Sequence, residues 1–305
     1  MTEISMATPS ALLLISYCAA IAVFSLIGGL LPDRVRMTHT RTQLVMSFVS
    51  GLMLGVAFYH LLPHSISWVG GDSGADVAVW WLMIGLIVML LLLRMFHFHQ
   101  HDFSGSNQGH DTCDEHAHEH HHHDSPSVHR MSWVGIALGL GLHTIIDGVA
   151  LAAVIQAEAQ GHAAGLLGLG VFLTILLHKP LDAMSITTVM DAGGWSKSAR
   201  TLTNVLFALM CPAGALLFFL GVDQLSADRE YVIGAALAFS AGAFICIALS
   251  DLLPEVQFHS HDRMKLTITF LLGIALAYAI GSIEPEGAHV SSINVIGGQQ
   301  LWSNV

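Results

Sequence analysis

"LLHKPLDAMS", residues 176–185, lies in the middle of a long apolar run and sets a histidine, a lysine and an aspartate within five positions. "LHTIIDGVAL" (142–151) repeats part of it, and both stretches read His-x-x-x-Asp, as His143/Asp147 and His178/Asp182. Whether these runs are cores of a soluble domain or spans of a membrane decides the fold. The chain has 305 residues, 53% hydrophobic and 11% charged. A soluble domain carries about 25% charged residues. The composition therefore points to a membrane protein, and the lipid bilayer is its first partner.

A membrane helix needs about 20 mainly apolar residues. The sequence predicts eight such spans, roughly 11–31, 44–62, 78–96, 131–156, 162–190, 201–221, 230–254 and 265–283. No Lys or Arg precedes the first, and its apolar run is longer than that of a signal peptide. It is read as a span. Arg34, Arg36, Arg41, Arg94, Arg130, Lys197, Arg200, Arg263 and Lys265 fall in one set of loops, and only Arg229 in the other. Positive charge stays on the cytoplasmic side, so both termini are expected outside. The eleventh cation, Lys179, is inside the fifth span. The net charge of −11 and the absence of a basic patch argue against nucleic acid. Cys18, Cys113, Cys211 and Cys246 have no CxxC spacing and imply no disulfide framework.

"SFVSGLMLGVAFYHLLPHS" (47–65) resembles "AFSAGAFICIALSDLLPEV" (238–256) at a fixed offset: Phe48 with Phe239, Gly51 with Gly242, Leu61-Leu62-Pro63 with Leu252-Leu253-Pro254. The second span runs outward and the seventh inward, so the repeat is inverted, as in secondary transporters with a midplane site. It also places His60 and His64 at the outer end of the second span, and Asp251 and Glu255 at the inner end of the seventh. The first pair reads as an outer mouth for cations and the second as an inner exit.

Residues four apart share a helix face. A short outer loop, about 157–161, would make the fourth and fifth spans antiparallel neighbours, so that His143, Asp147, His178 and Asp182 converge. Imidazole and carboxylate donors together suit Zn2+ and tolerate Fe2+, Mn2+ or Cd2+. Buried without a cation or partner, each charge would cost about 2.5–3.5 kcal/mol on insertion scales. Pro180 frees the carbonyl of Leu176. Gly148 is expected to let the fifth span or a ligand approach the fourth.

These features resemble the ZIP (ZRT/IRT-like) divalent metal transporters. The likeness rests on eight spans, "HTIIDG" in the fourth, "HKPLDA" in the fifth, "FSAG…LLPE" in the seventh and a histidine-rich stretch between the third and fourth. It implies an all-α integral membrane protein with helices arranged 3+2+3, the first three and last three as inverted repeats. It implies His143, Asp147, His178 and Asp182 as transport-site ligands, with Met53 as an accessory thioether. Many relatives hold a second metal; the matching positions here are Thr144, Lys179 and Cys211. An ammonium repels a cation, so Lys179 is expected to stand in for the second metal as a counter-charge. One metal at a time is the consequence. A homodimer is the candidate assembly.

"HFHQHDFSGSNQGHDTCDEHAHEHHHHDSPSVH" (97–129) holds eleven of the 20 histidines. Residues 97–130 are expected to form a disordered cytoplasmic loop, with His116, His118, His120, His121, His122 and His123 as loose metal ligands. Residues 284–305 read as an external tail, and residues 1–305 as a single transporter domain. The function expected is movement of Zn2+ into the cytoplasm, with no cofactor and no enzymatic step. The membrane would be the plasma (inner) membrane in a bacterium. A cation-diffusion-type exporter would have six spans and cytoplasmic termini, and a metal-sensing membrane protein would carry a signalling domain. An intramembrane metalloprotease needs HExxH, which neither His-x-x-x-Asp stretch supplies.

Overall fold

The computed structural model describes residues 2–33, 39–71, 73–96, 126–160, 167–222, 224–225, 228–258 and 263–283. The histidine-rich stretch up to residue 125, and the tail 284–305, lie outside them. The regular elements among the described residues are helices: α1 (Thr2–Leu30), α2 (His39–Val56), α3 (Leu62–Val69), α4 (Gly74–Phe96), α5 (Pro126–Gln160), α6 (Leu169–Ala192), α7 (Lys197–Val222), α8 (Arg229–Phe258) and α9 (Arg263–Ile283). A π turn over Ala57–Leu61 joins α2 to α3, so they form one span, Thr40–Val69. Among the described residues, eight helical stretches are long and apolar enough to cross a membrane, and the chain is a multi-pass membrane protein.

The π turn has a local cause. Pro63 has no N–H to return to the carbonyl four residues earlier. The turn before it widens, and the Leu62 N–H reaches the Ala57 carbonyl instead. Pro180 and Pro212 lie inside α6 and α7, and both helices run on through them. The turn between α5 and α6 differs from expectation. Residues 157–160 are helical, and α6 begins only at Leu169. Glu158 explains the extension: its Oε2 accepts the N–H of Gly168 at 2.8 Å, and Gly168 is left-handed (φ 67°) as it leads into α6.

Helices pack in pairs: α2 along α9, α4 along α8, α5 along α7, and α1 along α6. In lipid there is little hydrophobic drive between helices, so close approach through small residues replaces it. A Cβ on Gly51 would lie 2.0 Å from the Phe270 carbonyl oxygen, and one on Gly242 would lie 2.0 Å from that of Leu82. Gly28 sits against the backbone of Pro180, and Gly214 against that of Ile145. Gly148 admits α7 at the Cys211 carbonyl, and so receives the sixth span where the fifth or a ligand was expected. The core runs through the middle of this bundle, with the Ala150–Ile155 stretch of α5 and Phe244 of α8 wholly enclosed.

Candidate metal centre

α5 and α6 face each other at the centre of the bundle. Each brings a His-x-x-x-Asp pair to the contact, because four residues make about one helical turn. The rings of His143 and His178 stack with centroids 5.5 Å apart. His143 Nε2, His178 Nε2 and an Asp182 oxygen form a donor triad; the ligand atoms of these three residues lie within 4.8 Å of one another. The two nitrogens each stand 3.9 Å from Asp182 Oδ2. Both histidines are buried, while the Asp182 side chain keeps 18% of its surface open.

His178 is held from behind. Its Nδ1–H donates to the Thr174 carbonyl at 2.7 Å, which turns Nε2 into the site. Such outer contacts fix the tautomer and orientation of a metal-binding imidazole. His143 Nδ1 has no hydrogen-bond partner among the described residues, and neither has Asp147 Oδ1.

Asp147 is the more enclosed of the two aspartates. Its Oδ2 accepts from Lys179 Nζ at 2.6 Å and lies 3.3 Å from His178 Nε2 and 3.4 Å from His143 Nε2. Lys179 is 1% exposed and Asp147 0%. The ammonium also donates to Thr144 Oγ1 at 2.8 Å and Asp182 Oδ2 at 3.3 Å, and lies 5.4 Å from the Phe207 ring centroid. Its three protons therefore have three oxygens, and an aromatic face adds a cation–π contact. Lys179 links the two aspartates across the helix pair.

The triad faces a cavity of about 100 Å³. His143, His178, Asp182, Met46, Met53 and Met89 are among its lining residues, with the hydroxyl-bearing Ser50 and Ser185. Met53, the accessory residue the resemblance implies, lines the same cavity as the triad. Met46 and Leu93 put the cavity toward the His39 end of α2 and the Phe96 end of α4.

At the other end of the bundle, His60 donates Nε2–H to the Ala277 carbonyl at 2.9 Å. His64 Nε2 stands 3.8 Å from Glu158 Oε1. Asp251 and Glu255 fall in α8, with side chains outside the described residues; His116, His118, His120, His121, His122 and His123 also lie outside them. Cys211 is fully buried. Sequence reasoning missed Thr174, Phe207 and Glu158. Thr174 is four residues before His178, a spacing that could have marked it. Glu158, an acidic residue at the end of an apolar run, was also a visible signal. Nothing in the spacing points to Phe207.

The chain matches the family model "ZIP Zinc transporter" over residues 11–281. It is 33% identical over 135 residues to "Zinc transporter ZIP9" of Micropogonias undulatus, covering 43% of this chain and 42% of that protein. It is 31% identical over 147 residues to "Zinc transporter ZIP9-B" of Xenopus laevis, 46% of this chain and 47% of that one. It is 30% identical over 284 residues to "Zinc transporter zipt-7.2" of Caenorhabditis elegans, 79% of this chain and 58% of that one. The chain spans about half the length of the relatives it matches.

Proposed function

The chain belongs to the ZIP zinc transporter family, and from that premise we infer that it carries a divalent metal ion, zinc first, across the membrane through the His143/His178/Asp182 triad. The observation that carries this reading is an N/N/O triad beside a second aspartate, with one buried lysine ammonium shared between the two carboxylates. Two imidazoles and a carboxylate suit a borderline-soft ion such as zinc. Three protein donors leave a fourth tetrahedral position open, as a site that must release its metal requires. Lys179 balances Asp147 and Asp182 from the position a second cation would take, so the reading gives one transported metal at a time. Fe2+, Mn2+ and Cd2+ are secondary candidates.

The reading places the first three and last three spans as inverted repeats around α5 and α6. The helix contacts support it. Gly51 and Gly242, related by the same offset as Phe48 and Phe239, each meet a carbonyl of the opposite half. Gly28 meets α6 at Pro180 and Gly214 meets α5 at Ile145, equivalent positions in the two His-x-x-x-Asp stretches. With both termini outside, the cavity faces the cytoplasm, and transport runs inward down the metal gradient. His60 and His64 then mark the outer mouth, and Asp251 and Glu255 the inner exit.

Radiometal uptake into proteoliposomes tests this directly, comparing Zn2+, Fe2+, Mn2+ and Cd2+. Saturable zinc uptake that disappears in Asp182→Ala is expected. Uptake unaffected by that substitution would overturn the assignment of the site.

A further inference from the structure

We propose that Met46 and Met89, with Met53, make the cavity beside the triad a binding site for a soft monovalent cation of the Cu+ class, a second cargo besides zinc. The cavity's place on a transport path rests on the function proposed above; the site itself stands on what lines the cavity. Three of its 13 lining residues are methionines, against 13 methionines in the 305 residues of the chain. Met46 and Met53 are seven apart on α2 with Ser50 between them, so all three share one face of that helix. Met89 comes from α4 and is buried, as Met53 is. The resemblance in sequence implies a part for Met53 alone; Met46 and Met89 complete the set.

The surroundings separate these thioethers from ordinary packing. Methionine commonly fills irregular gaps in a core. These three instead border a cavity of about 100 Å³, roomy enough for an ion and water. Thioether sulfur is neutral and soft, and it favours Cu+ over the hard divalent ions. The two imidazoles on the same cavity, His143 and His178, suit copper as well as zinc. Charge agrees. Lys179 offsets one of the two aspartates it bridges, Asp147 and Asp182, which leaves a single negative charge for a monovalent ion to balance.

The test uses Ag+, the redox-stable analogue of Cu+, and the full chain in detergent with 13C-labelled methionine methyls. Each methyl resonance reports its own thioether, so Ag+ held by other ligands does not mask the result. Met→Leu variants, which nearly conserve volume, assign the signals one at a time. The Met46, Met53 and Met89 signals are expected to move together along one Ag+ titration, while Met83, Met95 and Met264, which are exposed, stay in place. Met89→Leu is expected to weaken Ag+ binding read at Met46 by about tenfold or more, the scale of losing even an outer-shell partner, and to weaken zinc less. Signals of Met46 and Met89 that hold still at saturating Ag+ would overturn the proposal, leaving gap-filling side chains. Equal movement of the three exposed methionines would overturn it by showing adventitious binding, and equal loss of Ag+ and zinc in Met89→Leu by showing a packing effect. Should Met89→Leu fail to fold, Met46→Leu read at Met89 makes the same comparison. The titration requires no transport, so a chain that binds Ag+ here but takes up no metal into vesicles would overturn the proposed function and leave the site standing.

Discussion

Lys179 Nζ and Asp147 Oδ2 lie 2.6 Å apart between two helices, both wholly enclosed. A buried charge needs a partner, and removing one partner of such a pair typically costs about 3–5 kcal/mol. Asp147→Asn should therefore destabilise the protein by roughly that amount, because the ammonium keeps only Thr144 and the more distant Asp182. Adding Lys179→Met should recover most of the loss. Thermal unfolding in detergent, read as a double-mutant cycle, checks this; additive losses would show that the pair is not coupled.

The same contact predicts a change in stoichiometry. Lys179→Ala leaves Asp147 without its counter-ion and clears the space beside Thr144. A second cation is expected to enter, raising the zinc held between α5 and α6 from one to two. Metal analysis of the full chain against an Asp182→Ala background separates this zinc from others. A wild type already holding two metals there would show that the lysine does not replace one.

How much of this was readable beforehand follows from the kind of signal each feature leaves. The spans were legible because about 20 apolar residues leave few alternatives, and the two His-x-x-x-Asp pairs because a four-residue spacing fixes a face. The unequal enclosure of the aspartates was not legible. Asp147 and Asp182 are equivalent in sequence, and their side-chain exposure, 0% against 18%, is a tertiary fact. Nor was the end of α5, where the Gly168 N–H, ten residues on, donates to Glu158 and the helix runs past the point that apolarity marks. The receiver of Gly148 was misread for a related reason. A glycine announces a close approach but does not name which helix makes it.

Close helix contacts give a stability prediction with an internal control. Gly51→Val and Gly242→Val would each drive a side chain into a backbone carbonyl 2.0 Å from the new Cβ. Backbone cannot swing aside like a side chain, so overpacking of about 1–3 kcal/mol or more is expected. Gly221, where a new Cβ would meet nothing within 4 Å, should accept Ala with little loss. Folded yield and melting in detergent compare the three, and equal losses would mean that the notches do not hold the helix pairs.

Metal preference should follow the donor atoms. His143 and His178 present imidazole nitrogens to the shared point, and Asp182 an oxygen. Imidazole favours zinc over manganese, whereas carboxylate is comparatively indifferent. His143→Ala and His178→Ala should each weaken zinc binding by more than the roughly 10–100-fold typical of losing an outer-shell partner, and weaken manganese less. Asp182→Asn should weaken both ions, because it removes charge without removing a nitrogen. His178→Ala has a second consequence, since it also abandons the Thr174 carbonyl that held the ring. Titrations of Zn2+ and Mn2+ against the three variants measure the ratio. If the histidine variants lost zinc and manganese in equal proportion, the nitrogens would add to binding without setting the preference, and the assignment of the zinc preference to imidazole would fall.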